Sequence, residues 1–356
     1  MKIKTELLKS LVSKAMHGVG NNKLIPITNL MNLKVENDKF VITTTDATNY
    51  LYVSDVCDED PFYVTVYAEM FAKLVSKLTC EYVSLTVTNN SLEVKGNGTY
   101  NLELPLDEEG EFIKYPNPFK FEEVIETGEI SLSTIQTILN AVKPSLATTA
   151  EIPCYMGYYM GDEVIATDTF KIASMATKMF NIPVLMSADT LNLVSLMVDE
   201  KIKYTIWNNN EVSFHSHDCD VHGVLMNGIN DYAVTEIKNL VDKKFTSMCK
   251  LSKDTLLQLL DRLSLFVGAY DKNEINLTFT SSGLCVKSKN SSGVEIIEYL
   301  DSENLDDFVC TIDIQMLQSQ VKTHSTSSVE LWYGLDNAIK LVDGNITQII
   351  ALSEDE

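Results

Sequence analysis

His215-Ser-His217-Asp-Cys219-Asp-Val-His222 concentrates metal-binding side-chain types. On one continuous strand His215, His217 and Cys219 would share a face, and imidazole with thiolate is a zinc-binding set. The spacing matches no known zinc finger, and the run also reads as strand, turn, strand. The second reading is preferred, so neither a metal nor any other cofactor is expected. Thr167-Asp168 sets a hydroxyl beside a carboxylate, a pair that could pass for catalytic. The same pair recurs at Thr45-Asp46. Repetition suits a turn, because an aspartate bonds its own backbone two residues on. No Gly-rich phosphate loop, nucleophile elbow or metalloprotease helix occurs, and no convergent carboxylates suggest hydrolysis. A non-catalytic protein is expected.

The elements around these corners repeat. Leu33–Phe40 leads into Val41-Ile42-Thr43-Thr44-Thr45-Asp46, and Tyr158–Glu163 leads into Val164-Ile165-Ala166-Thr167-Asp168. A third copy, lacking the aspartate, runs from Ile275 to Lys287. Apolar spacing predicts helices over residues 5–16, 68–78, 131–142, 187–198, 252–263 and 314–322. Strands are predicted around each, including residues 30–35, 40–45, 49–53, 82–88, 91–96, 99–104, 201–207, 211–215, 221–226, 328–332, 338–342 and 347–352. Asn89-Asn90 is read as a hairpin turn. The helix-then-strands unit recurs six times, as three pairs of roughly 120 residues, an ordinary domain size. The expected modules are 1–125, 126–246 and 247–356, with boundaries at 121–128 and 242–248. Each has two helices packed on antiparallel sheets, an α+β fold.

Of 356 residues, 50 are acidic and 28 basic, a net charge of −22. Taken alone, that opposes nucleic-acid binding, since phosphates need cations; placement decides. The helix faces carry Ser, Thr, Asn, Gln and scattered Lys, so the acid excess must lie elsewhere, as in 55–60, 107–111 and 301–307. No apolar run approaches the roughly 20 residues a membrane helix requires, and residues 1–7 lack a signal-peptide core. Seven cysteines without a Cys-x-x-Cys pair point to reduced thiols and an intracellular setting.

At this point the sequence resembles the bacterial β sliding clamp family, the processivity ring of replicative DNA polymerase. The resemblance rests on Ile25-Pro26-Ile27-Thr28-Asn29-Leu30, the two Thr-Asp corners, and Asn230-Asp231-Tyr232, in their order and spacing. The Asn, Lys and Ile richness resembles a phage-encoded version. What the resemblance implies is three clamp-type modules forming half of a ring. Two chains would close head to tail around double-stranded DNA, and a polymerase and clamp loader would dock through short hydrophobic peptide motifs.

Carried over by matching position, the peptide pocket would comprise Tyr155, Thr167, Ile172, Ile237, Ile349 and Ala351, with Met316 nearby. The subunit interface would pair Tyr100 and Leu102 with Phe266 and Val267. The DNA-facing cations would be Lys9, Lys14, Lys73, Lys77, Lys143, Lys253, Arg262 and Lys322, on or beside the polar helix faces, with Lys23 a weaker contact where the family has a basic first-module loop. Two departures bear on the pocket rim. The family's Gly-His-Arg is Thr169-Phe170-Lys171, and its Met-Pro-x-Arg ending is Ala351-Leu352-Ser353-Glu354. The resemblance implies a cytoplasmic location. A second reading is an acidic viral structural or adaptor protein built on the same repeat without DNA.

Overall fold

The computed structural model describes all residues except 21, 23, 89, 150, 267–272, 290–294, 303–304, 336 and 354–356. The expectations for Lys23, Asn89, Val267 and Glu354 lie outside the described residues. The chain forms two compact units, Met1–Ile135 with Asp189–Leu225, and Gln136–Ala188 with Met226–Glu356. Every strand pairing described is antiparallel.

The first unit contains a four-stranded sheet in the order β1 (Lys2–Lys4), β6 (Tyr82–Val87), β7 (Ser91–Lys95), β8 (Thr99–Glu103). Its eight-stranded sheet runs β5 (Phe62–Tyr67), β2 (Leu30–Glu36), β3 (Lys39–Thr45), β4 (Asn49–Val56), β16 (Cys219–Val224), β15 (Glu211–His215), β14 (Lys201–Trp207), β9 (Val124–Ser131). Helices α1 (Thr5–Ala15) and α2 (Ala68–Lys77) pack on each other, and α1 lies on β3 and β4. The predicted apolar stripe of α1 is the one buried, through Leu8, Leu11, Val12 and Ala15. The Thr44 hydroxyl donates to the Ala15 carbonyl at 2.7 Å and closes the helix end. Gly18 follows because a Cβ there would lie 2.4 Å from the Thr44 hydroxyl.

The second unit repeats the plan. A four-stranded sheet runs β20 (Glu295–Asp301), β19 (Gly283–Lys289), β18 (Glu274–Thr280), β21 (Phe308–Asp313). An eight-stranded sheet runs β13 (Val184–Ser187), β10 (Gly157–Met160), β11 (Val164–Thr167), β12 (Lys171–Met175), β24 (Ile346–Ala351), β23 (Ala338–Asp343), β22 (Ser328–Leu335), β17 (Ser247–Ser252). Helices α6 (Lys253–Ser264) and α7 (Ile314–Thr323) pack together. Ser252 and Asp313 cap them by accepting from the Thr255 and Met316 amides. Pairing of β4 with β16, and of β12 with β24, joins neighbouring sequence repeats into single sheets. Residues 126–246 are therefore shared between the two units.

Several elements were not anticipated, strands β1, β17, β20 and β21 among them. Strand β9 occupies the expected linker, 121–128. Its buried Glu126 accepts from the Tyr204 hydroxyl at 2.7 Å, and Gly128 leaves room for that ring. Strand β5 and helix α5 (Val234–Val241) were also missed. The expected 12-residue helix over 187–198 shrinks to α4 (Ala188–Val194). The helix over 131–142 becomes α3 (Leu132–Thr137) followed by a π-helical turn, Ile138–Val142.

The histidine run is a hairpin turn between β15 and β16, with His215 opposite Asp220. His215 Nδ1 lies 2.9 Å from Asp220 and His217 Nδ1 lies 2.7 Å from Asp199. His222 sits among Tyr52, Phe119 and Phe121, with ring centroids 4.7–5.5 Å away. Among the described residues no three His, Cys, Asp or Glu side chains are placed to hold a metal.

Phe119 and Phe121 belong to a strap whose Lys120 and Phe121 amides donate to buried Glu211, at 3.1 and 2.9 Å. Burial pushes the His222 imidazole down from 6.5 to about 4, although Asp220 opposes that shift. A depressed imidazole means that the unfolded chain takes up the proton first. Stability should therefore be full above about pH 6.5 and fall by up to roughly 3 kcal/mol as the pH drops towards 4. Urea unfolding across that range checks this, and His222→Phe should flatten the dependence.

Candidate functional site

In the second unit, strand register builds one apolar face. Thr167 lies opposite Ile172, and Ile172 opposite Ile349. Directly opposed residues project to the same side, so these three side chains form a row. Two residues along each strand, Ile165 and Ala351 join the same face. Tyr155, on the turn Pro153–Met156, meets Tyr232 edge-on at 5.0 Å. The Tyr232 hydroxyl donates to the Ile165 carbonyl at 3.2 Å. Tyr155, Ile172, Ile237 and Ile349 are buried in one cluster, together with Ile165, Leu185 and Tyr232.

Helix α5 supplies Ile237 and borders β24. Lys340 holds the segment after it, donating to the Val241 and Lys243 carbonyls at 3.3 and 3.1 Å. Six of the seven candidate pocket residues are thus on or over one sheet face. Met316 is not among them: it projects from α7 and packs on the other core, with Leu256, Leu317 and Ile350.

The Thr-Asp corner shapes the rim of this face. The Thr167 hydroxyl accepts from the Thr169 amide at 3.0 Å. One Asp168 oxygen accepts from the Phe170 and Lys171 amides at 3.0 and 2.7 Å. Thr169 is thereby held at φ 78°. In the first unit Thr45 accepts from Ala47, Asp46 accepts from Thr48 and Asn49, and Ala47 has φ 85°. The repeated pair is a structural corner in both places.

Two consequences follow at the rim. Lys171 is withdrawn, bound to Asp168 at 3.3 Å and to the Pro144 carbonyl at 2.9 Å. Phe170 is thrust outward, 59% exposed, while its carbonyl accepts from the Ala351 amide at 2.8 Å. Sequence reasoning noted the departure at Phe170 without finding its position as a lip.

Three of the four candidate interface residues are among the described residues. Tyr100 and Phe266 are exposed, at 36% and 43%, and Leu102 is half-buried. Leu102 lines a groove of about 950 Å³ between β8 and α2, with Val66, Tyr67 and Met70. Met70 and Lys73, both exposed on α2, also line it, and sequence reasoning did not find the groove. Both β8 and β20 are terminal strands of their four-stranded sheets.

Of the candidate cations, Lys9 pairs with Glu6, Lys14 with Asp218, Lys73 with Glu69 and Arg262 with Glu298. Lys253 donates to the His324 carbonyl. Lys77, Lys143 and Lys322 are exposed, and among the described residues Lys77 and Lys322 have no ion-pair partner. Four of the eight described candidate cations, Lys9, Lys14, Lys73 and Arg262, are therefore compensated by an acid.

The family model for the DNA polymerase III beta subunit, N-terminal domain, matches residues 1–116. Solved structures agree with the fold over the whole length. The DNA polymerase III beta chain from Streptococcus pneumoniae TIGR4 has a TM-score of 0.88 at 15% identity, with 99% of each chain covered. The DNA polymerase sliding clamp from Bacillus subtilis has a TM-score of 0.86 at 17% identity, covering 100% of this chain and 99% of the other. The DNA polymerase III beta subunit from Borrelia burgdorferi gives 0.84 at 18%, covering 100% and 98%. No curated protein sequence matches the chain. No described helix is long and apolar enough to cross a membrane.

Proposed function

We propose, on the premise of a clamp fold along the whole chain and a DNA polymerase III beta match over residues 1–116, that this protein is a non-catalytic sliding clamp. The observation that carries the reading is the agreement in fold over 99–100% of the chain with DNA polymerase clamps. The alternative, an acidic structural or adaptor protein, is not favoured by it. Two copies form a ring around duplex DNA and hold a replicative polymerase to its template, in the cytoplasm of a bacterial cell.

The open sheet edges support head-to-tail closure. An unpaired edge strand attracts another strand. Here each unit ends one small sheet in such an edge, β8 in one and β20 in the other. A heterologous contact closes when the rotation returns after two copies. The groove beside β8 suits Leu265 and Phe266, which stand 79% and 43% exposed after α6. Sedimentation velocity should show a two-chain species, and a monomer at micromolar concentration would contradict the closure.

DNA contact is read as loose. A sliding ring must not grip bases, and water-mediated phosphate contact by lysine suits it. With Lys9, Lys14, Lys73 and Arg262 already paired to acids, few phosphates are neutralised and free affinity should be weak. The partner site is the face bearing Tyr155, Thr167, Ile172, Ile237, Ile349 and Ala351, with Phe170 as its lip. An apolar peptide motif from the polymerase or loader is the expected occupant.

A further inference from the structure

A second apolar pocket lies in the first unit, lined by none of the residues that line the β8 groove. Its volume is about 160 Å³, and Tyr63, Val64, Val87, Leu104, Phe112 and Ile113 line it. That is close to the roughly 150 Å³ of an apolar cavity that takes up one benzene ring. Tyr63, Val87 and Phe112 remain 40–45% exposed at its mouth.

A built turn sits beside it. Leu106 bridges Phe112, and Asp107 accepts from the Glu109 and Glu111 amides at 3.0 and 2.8 Å. Gly110, at φ 84°, completes the turn by donating to the Asp107 carbonyl. The arrangement leaves Glu108, Glu109 and Glu111 exposed. Among the described residues none of these three has an ion-pair partner, unlike the compensated helix cations. Lys114 is the single cation lining the pocket. An apolar hole next to a turn that carries three uncompensated carboxylates favours an apolar anchor with cationic flanks, through burial and complementary charge.

We propose that this pocket docks a short segment of a partner protein with one leucine- or phenylalanine-sized anchor flanked by lysine or arginine. It is separate from the peptide face of the second unit and does not depend on ring closure.

The test uses the full-length protein and two fluorescein-labelled peptides, read by anisotropy at low ionic strength. One is Lys-Lys-Gly-Leu-Phe-Gly-Lys-Lys; in the other every lysine is glutamate. The lysine peptide should bind at least tenfold more tightly. Glu108→Lys with Glu109→Lys and Glu111→Lys should remove that advantage. Asp58→Lys with Glu59→Lys and Asp60→Lys, an equal charge change on another exposed loop, should leave it. Val87→Trp, which fills the pocket, should weaken lysine-peptide binding at least tenfold. Equal loss in both lysine triples would reduce the effect to net charge and overturn the proposal. So would unchanged binding to Val87→Trp, or altered sedimentation of the peptide-free Val87→Trp protein, which would make the surface a contact between copies. Phe170→Asp should not affect this binding, so failure here and failure of the peptide-face reading remain distinguishable.

Discussion

Leu102→Asp combined with Phe266→Asp is expected to leave the chain monomeric at concentrations where the parent is a dimer. Leu102 is half-buried on the last strand of its sheet and lines the groove beside α2. Phe266 is exposed just beyond α6. Neither side chain is part of a fully buried core, so secondary structure and melting temperature should change little. In the dimer each carboxylate would replace an apolar side chain in the contact, and the cation lining the groove, Lys73, is already paired with Glu69, so the change is strongly unfavourable. Losing two central apolar anchors costs roughly 4 kcal/mol per interface, about a thousandfold in dissociation constant. Sedimentation velocity reads the outcome. A dimer that survives both changes would place the interface on another surface.

The second large effect separates the wall of the peptide face from its lip. Phe170→Asp should abolish binding of a peptide from the cognate replicative polymerase, with the melting temperature unchanged. The side chain is mostly exposed, while the corner is held by Thr167 and Asp168, not by the ring. Ile172→Asp should also abolish binding, but through the fold. Ile172 is 7% exposed between Thr167 and Ile349, so a carboxylate there would be buried without a partner. That costs several kcal/mol of stability. Isothermal titration with calorimetric melting distinguishes the two. Normal peptide affinity in Phe170→Asp would remove the lip from the site.

The helices were legible because burying one side of a helix imposes a period on the sequence. Leu8, Leu11, Val12 and Ala15 in α1, and Leu256, Leu260 and Leu263 in α6, are both periodic and buried. Strands with clean alternation were read to the residue, as in β14 and β15. Strand β9 was not, because Glu126, Gly128 and Glu129 look like a linker. Their strand role depends on the Tyr204 side chain, 78 residues away. Helix α5 was missed although Val234, Ile237, Leu240 and Val241 are spaced for one face, because eight residues make only about two turns.

The candidate site was legible where register fixes it. Thr167, Ile172, Ile349 and Ala351 fall on one face once β11, β12 and β24 are aligned. Met316 was misjudged as a neighbour because sequence distance cannot tell which face of a sheet a helix covers. The ion pairs of Lys14 and Arg262 span 204 and 36 residues, so no local pattern could reveal them. The groove and the open edges β8 and β20 exist only once the sheets have formed.

The claim that the protein encircles DNA is tested most directly by topology. The protein is incubated at high concentration with nicked circular plasmid, so that rings open and reclose around it, and the DNA is then separated by gel filtration in moderate salt. Protein should co-elute with the circle and be lost within minutes of cutting the plasmid once, because a ring slides off a free end. Its retention should also disappear in the Leu102→Asp, Phe266→Asp variant. Equal retention on circular and linear DNA, or none on either, would contradict encirclement.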